Sequence, residues 1–436
     1  MFDLQLSLYA LASTLVLTDT LDLLVRLFFR RVQSHGAETS VPLDVGRFTP
    51  YQMKLHLRPF AIVASVHNLS HRAERFVTRL GRYRDRLWVI DDASTDDTVE
   101  QLLRLGVRCV RGSPNRKKPG AIRQLLAAIP PEVVTILVVD PDVELDGEGG
   151  DGELSALDRV LFEFQRSGMA AACPRIVVRP DGWWADFQHV EYSLALEIGR
   201  KGLGDHALTS GASIYRRDAL EKALSLHSLS VYAEDLSNAL ILLSVEERIY
   251  YDGRLTVTTD GKRSLSALFS QRVGWAFGLI QIYLRDFRRI LRATAARPFF
   301  IYHFVVYTGG MGLALHPFRV AGLVLLGVSL ANGIDNLLGL GWIPDNHWTR
   351  PVYFGLAYVQ YTVLTIAQML LVLRGREWRR AWRVAPLYFI YAALQTLPTT
   401  LGYLNWFSLR LFGRRLYRDH YQSDETLIRR QMVHST

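Results

Sequence analysis

An apolar run that ends in charge marks the first place where this sequence could do chemistry. Thr135-Ile-Leu-Val-Val139 is followed at once by Asp140-Pro141-Asp142. The run reads as a buried strand of a parallel sheet, and open α/β sheets bind ligands at the carboxyl ends of such strands. A second apolar stretch, Leu87 to Ile90, ends in Asp91-Asp92. Each motif alone is also a turn of solvated aspartates, or a strand end before a helix capped by Ser94, Thr95 or Asp96. Two such motifs in one sheet are a stronger signal. Close carboxylates repel, and a hard divalent cation shared with a substrate diphosphate relieves that repulsion. Between the two motifs, Lys117 and Lys118 open a helix whose N-terminus could meet phosphates, although a solvated basic loop accounts for them equally. A third acid pair, Glu234-Asp235, begins an apolar helix, where a carboxylate is also simply a good cap.

These acids need a scaffold of alternating strands and helices. The residues supply strands at 60–66, 85–94, 107–112 and 135–139, with helices over 69–83, 95–106 and 119–129 between them. The expected fold is therefore α/β, Rossmann-like, with a mostly parallel sheet. No GxGxxG follows the first strand and no GxxxxGK[ST] occurs anywhere, so dinucleotide and P-loop readings lose their main support.

At 436 residues and 49% hydrophobic content, the chain can fill one core and a second apolar region. Cys109 and Cys173 have no metal-ligand spacing and make no disulfide framework, which suits a reducing compartment. The formal charge of +9 concentrates beside apolar segments, at 26–31, 374–383 and 410–418, a pattern of the cytoplasmic membrane surface and not of nucleic acid. Residues 4–25 read as a span despite Asp19 and Asp22, and lack the basic start of a cleavable signal. Apolar segments recur at 299–340, 352–373 and 385–407, with Pro398 inside the last. The expected division is an N-terminal anchor helix at 1–31, a cytoplasmic α/β domain at 32–290, interfacial helices at 291–316, a transmembrane region at 317–412 and a cytoplasmic tail at 413–436. One span per segment would leave the basic tail outside unless the last segment is re-entrant.

The ordered set Asp91-Asp92-Ala-Ser94, Asp140-Pro-Asp142, Ser210-Gly211-Ala212, Ala233-Glu234-Asp235 and Gln271-Arg272-Val-Gly274-Trp275 resembles the family 2 glycosyltransferases of the GT-A fold. Within that family it is similar to the membrane-integrated synthases of cellulose, hyaluronan and chitin. The resemblance implies that Asp92, with Asp91 beside it, holds the base of a nucleotide, and that Asp140 and Asp142 bind Mg2+ or Mn2+ and the diphosphate. It further implies that Arg272 reaches the diphosphate, for which Lys118 already reads as a contact, and that Asp235, beside Glu234, is the catalytic base. Ser210, Gly211, Gln271 and Trp275 would hold the acceptor. Gly274 stands where the family motif has an arginine, so one expected guanidinium is missing there. Trp183 and Trp184 suit a membrane surface or a sugar face equally.

The activity implied is inverting, metal-dependent transfer from a UDP-sugar to a growing glycan by a processive multi-pass enzyme of the inner membrane. Tyr353, Tyr358, Gln360, Tyr361, Gln368, Tyr388, Tyr391 and Gln395 read as the lining of an export path with Trp275 at its mouth. Partners would be membrane lipids, with an export protein or a second copy of the chain. The alternatives are a synthase similar to ceramide glucosyltransferase that adds one sugar to a lipid acceptor, and a nucleotide-binding membrane scaffold that has lost catalysis.

Overall fold

The computed structural model describes residues 20–28, 31, 38–43, 46–145, 154–228, 233–294, 298–343 and 350–417. Of the expected anchor at 1–31, residues 1–19 lie outside the described residues, as do residues 418–436 of the expected tail at 413–436. One sheet holds β1 (Phe60–Val66), β2 (Leu87–Asp92), β3 (Arg108–Gly112), β4 (Thr135–Val139), β5 (Val143–Leu145), β6 (Ala171–Val178), β7 (Ala212–Arg216) and β8 (Ile249–Thr259). The strand order is β3-β2-β1-β4-β7-β6-β8-β5. β1 and β4 are apolar along nearly their whole length because helices cover both faces of the sheet.

The helices of the α/β unit are α1 (20–28), α2 (Pro50–His56), α3 (Ala73–Thr78), α4 (Thr98–Arg104), α5 (Lys117–Leu126), α6 (Ala156–Ser167), α7 (Trp183–Leu194), α8 (Arg217–Leu226), α9 (Glu234–Ser244), α10 (Leu265–Arg285) and α11 (Phe287–Thr294). A π-helical stretch, Ala195–Arg200, continues α7. The apolar remainder forms α12 (Pro298–Ile301), a second π-helical stretch (Tyr302–Ala314), α13 (His316–Leu338), α14 (Pro351–Val372), α15 (Glu377–Leu394) and α16 (Thr396–Phe412). The expected domain boundary at 290 falls inside α11.

The sheet is mixed, with parallel pairs in the majority. β1, β2, β3 and β4 pair in parallel, as do β6 and β8, but β7 runs antiparallel to both β4 and β6, and β5 antiparallel to β8. This reversal has a use: Val139 opposite Ala212 carries the loop before β7 to the acids after β4. The helix expected over 69–83 is broken into 3-10 turns around the short α3, because Gly81 takes a left-handed φ of 53° that ends the helical path.

Among the described residues, His316–Leu338 and Pro351–Val372 are long and apolar enough to cross a membrane. The segment 385–407 is not one span. α15 and α16 meet at Gln395, and Pro398 sits in the first turn of α16, where its missing N–H costs nothing. α16 then lies along α10, with Gly402 so close to Ala276 and Phe277 that a Cβ would collide with them. Asn405 Nδ2 donates to the Tyr417 carbonyl at 2.9 Å, and Arg415 stands 4.7 Å from the Phe277 ring centre, so residues up to 417 return to the α/β unit.

The basic stretch at 374–383 also spends its charge inside the molecule instead of presenting all of it to lipid. Arg374 pairs with Glu38 at 3.0 Å, Arg380 with Asp186 at 2.7 Å, and Glu377 takes the buried Arg175 at 2.8 Å. The turn between α14 and α15 therefore lies on the same side as the α/β unit.

Candidate active site

The parallel register fixes where the acids stand. Val66 on β1 pairs with Asp91 on β2, and Val63 pairs with Val138 on β4, so Asp91, Asp92 and Asp140 emerge at one edge of the sheet. β1 separates the two motifs, a gap of two strand spacings or about 10 Å. Three neighbouring residues are forced into left-handed conformations without being glycine: Ala93 (φ 63°) after Asp92, Lys117 (φ 61°) before Lys118 and Ala233 (φ 58°) before Glu234. Each costs on the order of 1 kcal/mol, and such strain persists where a site over-determines the backbone.

Asp92 is buried and accepts a hydrogen bond from the Arg116 backbone N–H at 2.6 Å, at the start of α5. Burial raises its carboxyl above the usual range, against the pull of the Arg116 and Lys117 N–H groups. Asp91 accepts from the Ser94 N–H at 3.2 Å through Oδ2, while its Oδ1 is buried without a hydrogen-bond partner. A buried carboxylate oxygen left in this state lacks a donor that a ligand can supply.

The other acids gather around one ammonium group. Lys118 Nζ lies 2.8 Å from Asp140 Oδ1, 2.8 Å from Glu234 Oε1 and 3.6 Å from Asp235 Oδ1. Desolvation alone would lower the Lys118 pKa, but Asp140, Asp235 and Glu234 hold it well above the ordinary value. The two sequence motifs, nearly a hundred residues apart, thus form one cluster. Burial pushes the Asp235 carboxyl up to about 7, Glu234 and Asp140 push the same way, and Lys118 and Arg200 oppose them. Desolvation acts on Glu234 too, yet its direct bond to Lys118 keeps it below the usual range. Two adjacent acids in one helix turn are thereby set apart, one ionised and one able to hold a proton near neutrality.

Asp140 and Asp142 flank Pro141 in the turn after β4. The Asp140 N–H donates to the Gly211 carbonyl at 2.8 Å, and a Cβ on Gly211 would overlap the Asp140 carboxylate. Gly211 is thus glycine for close approach to an acid. The Asp142 carboxyl is pushed up to about 6 by desolvation and then by Asp140, against Lys262. Its backbone carbonyl accepts from Arg79 Nη1 at 3.1 Å, and Arg79 is itself clamped by Asp260 at 2.8 Å and 2.9 Å. Among the described residues no group of three or more His, Cys, Asp or Glu side chains is placed to hold a metal. The protein's share of a cation site is a carboxylate pair that repels itself, which fits a hard ion whose other ligands are a diphosphate and water.

Ser210 is turned inward: its Oγ donates to the Ala212 carbonyl at 3.0 Å, so its hydroxyl shapes the loop. Thr209 Oγ1 donates to the Asp235 carbonyl at 2.7 Å and ties that loop to α9. Arg272 belongs to a different node from the acid cluster. It is buried, donates to Glu191 Oε2 at 2.6 Å and to Gln271 Oε1 at 3.3 Å, and covers the Trp275 ring at 4.0 Å. Tyr192 stacks on Trp275 at 6.2 Å. The Tyr391 hydroxyl donates to the same Glu191 oxygen, so α7, α10 and α15 meet at this node. Sequence reasoning puts Tyr391 in an export lining and does not single out Glu191, Tyr192 or Arg200. Arg200, at the end of a π-helical stretch, carries no motif that could flag it.

Residues 61–224 match the glycosyl transferase family 2 model. The chain carries a glycosyltransferase family 2 domain. The match opens in β1 and closes in α8, so the transferase domain so defined includes Asp91, Asp92, Lys118, Asp140, Asp142, Ser210 and Gly211, while Glu234, Asp235, Gln271, Arg272 and Trp275 follow it. No curated protein matches the chain. Among solved structures, a mannosyltransferase from Pyrobaculum calidifontis in complex with GDP-Man and Mn2+ is similar at 16% identity over 89% of this chain and 99% of its own, with a TM-score of 0.47. Glucosyl-3-phosphoglycerate synthase from Mycobacterium tuberculosis, in complex with Mn2+, UDP and glucosyl-3-phosphoglycerate, is similar at 17% identity over 54% of this chain and 86% of its own, with a TM-score of 0.33. The mixed α/β sheet of the transferase domain is consistent with the GT-A fold.

Proposed function

We propose that this protein is an inverting, divalent-cation-dependent glycosyltransferase that moves a sugar from a UDP-sugar to a membrane-held acceptor on the cytoplasmic face of the inner membrane. The observation that carries the proposal is the Lys118 cluster, which joins Asp140 to Glu234 and Asp235 about two strand spacings from Asp92. A nucleoside diphosphate has that reach, with its base at Asp91 and Asp92 and its phosphates at Asp140 and Asp142.

In this reading Asp140 and Asp142 hold Mg2+ or Mn2+, which when bound supplies positive charge against the departing diphosphate. Asp235 takes the proton from the acceptor hydroxyl. The acceptor oxygen bonds to the anomeric carbon from the face opposite the diphosphate, whose C–O bond breaks and whose electron pair leaves with the nucleotide. A carboxyl pushed up to about 7 is well matched to that proton transfer. Lys118 keeps the carboxylates together, Glu234 anchors Lys118, and Gly211 leaves room for Asp140. A scaffold that only bound nucleotide would have no use for Asp235 in this state.

For the product, a single added sugar is favoured over a polymer. Several aromatics that read as an export lining are committed to packing: Tyr388 and Tyr391 are buried, Tyr391 stacks on Phe187 at 4.8 Å, and Tyr358 and Tyr361 surround Phe389. Two apolar helices, α13 and α14, with the basic stretches at 374–383 and 410–418 tied to the α/β unit, suit an anchor that keeps the site against the bilayer. Product sizing tests the choice. Protein reconstituted in liposomes with a labelled UDP-sugar and native lipid extract should yield lipid carrying one sugar, and a ladder of long polymer would restore the processive reading.

A further inference from the structure

The chain passes from the transferase domain to its first apolar segment through a helix with two unlike faces. α11, Phe-Arg-Arg-Ile-Leu-Arg-Ala-Thr over Phe287–Thr294, buries Ile290 and Ala293 in the core and leaves Arg288 and Arg292 exposed. Arg285, Arg288, Arg289 and Arg292 line one open groove of about 610 Å³ at the C-terminal end of α9. Asp286 is the carboxylate in that lining, and it is bonded to Arg289 at 3.1 Å. Four guanidiniums therefore face one carboxylate. Beside them three large apolar side chains stand in solvent: Leu284 is 58% exposed, Phe287 45% and Leu291 43%.

Guanidinium groups bind phosphate oxygens through paired N–H donors, and exposed apolar residues among them are out of place in water. Both features suit the boundary between headgroups and acyl chains. The chain's course agrees, since α11 leads through α12 and the π-helical stretch directly into α13, which is long and apolar enough to cross a bilayer.

We propose that α11 and this groove bind the phosphate headgroup of an anionic phospholipid, with Leu284, Phe287 and Leu291 in the acyl boundary. An RNA backbone could use the arginines but would leave those three residues in water. The inference rests on the membrane placement of α13 and α14 and is independent of the transfer chemistry, so its test contains no nucleotide sugar.

Native mass spectrometry of the full chain in detergent, titrated with phosphatidylglycerol or phosphatidylcholine, reads the interaction. Retention of phosphatidylglycerol and loss of phosphatidylcholine are expected. The pair Arg288→Gln and Arg292→Gln should weaken phosphatidylglycerol binding by about 30-fold at low salt, given the usual strength of a basic residue at a charged leaflet. The pair Arg288→Lys and Arg292→Lys, which keeps the charge but not the paired donors, should weaken it by about threefold. Should the glutamine pair fail to fold, the lysine pair still decides. Equal retention of the two lipids, or undiminished phosphatidylglycerol binding in both variants, would overturn the proposal. Complete displacement by millimolar inorganic phosphate would also overturn it, by making the groove a site for soluble anions, as would tighter binding of a short RNA than of the lipid.

Discussion

Asp235→Asn should abolish transfer and at the same time make the protein more stable at alkaline pH. The wild-type carboxyl moves from 3.8 to about 7 on folding, chiefly by desolvation. A carboxyl raised in the folded state favours the protonated native form, so its cost is absent below about pH 4, grows as pH rises, and is complete above about pH 7. Fully desolvated, that cost would be about 1.5 kcal/mol at pH 5 and about 4 kcal/mol at pH 8. The side chain keeps 24% of its surface, and water trims the figure, leaving a cost of roughly 1–2 kcal/mol at pH 8. The amide keeps the shape and carries no charge to desolvate, while Lys118 retains its closer contacts with Asp140 and Glu234. Thermal unfolding of both proteins at pH 5 and pH 8 should show the advantage of the amide variant growing with pH, to about 1–2 °C at pH 8. Nucleotide affinity should be retained in the variant. A variant less stable than wild type at pH 8, or one with near-normal turnover, would refute the assignment of Asp235 as a desolvated base.

Other perturbations test the supporting structure. Gly211→Ala should displace the Asp140 carboxylate and reduce turnover by about 100-fold with little change in melting temperature; turnover within about threefold of wild type would show that Asp140 needs no such approach. Glu377→Gln leaves the buried Arg175 with Glu197 at 3.1 Å as its remaining carboxylate and should lower stability by about 1–3 kcal/mol, read as a drop in melting temperature. Gly402→Leu should force α16 from α10 and cost about 1–3 kcal/mol, and an unchanged melting temperature would mean that the helices do not pack so closely.

The strands that carry the site are legible because their chemistry is local. An uninterrupted apolar run such as Thr135–Val139 reads as a central strand, and an acid that follows it stands at the carboxyl end of the sheet, where ligands bind. What cannot be read depends on partners far along the chain. The reversal of β7, which brings Gly211 to Asp140, follows from packing that no local pattern encodes. A lysine opening a helix suits phosphates, so Lys118 is expected there, and no local feature signals that three carboxylates from two other elements reach it first. Arg272 likewise belongs to Glu191, 81 residues away, and Arg380 to Asp186, 194 residues away. The basic stretches look like membrane-surface charge for the same reason: charge is visible in sequence, but its partner is not. The long segment over 385–407 is apolar enough for one span, and only the helix break at Gln395 and the contact of Gly402 with α10 show that it is two helices.

The central claim is that Asp140, Asp142 and Asp235 act on one nucleotide sugar. Release of free nucleoside diphosphate by the full chain in native lipid, measured across a panel of nucleotide sugars with Mg2+ or Mn2+ and again in excess chelator, tests it most directly. We expect release from a UDP-sugar, loss in chelator with recovery on adding the cation back, and loss in Asp140→Asn, Asp142→Asn and Asp235→Asn. Full release in chelator, or in any of the three variants, would contradict the claim.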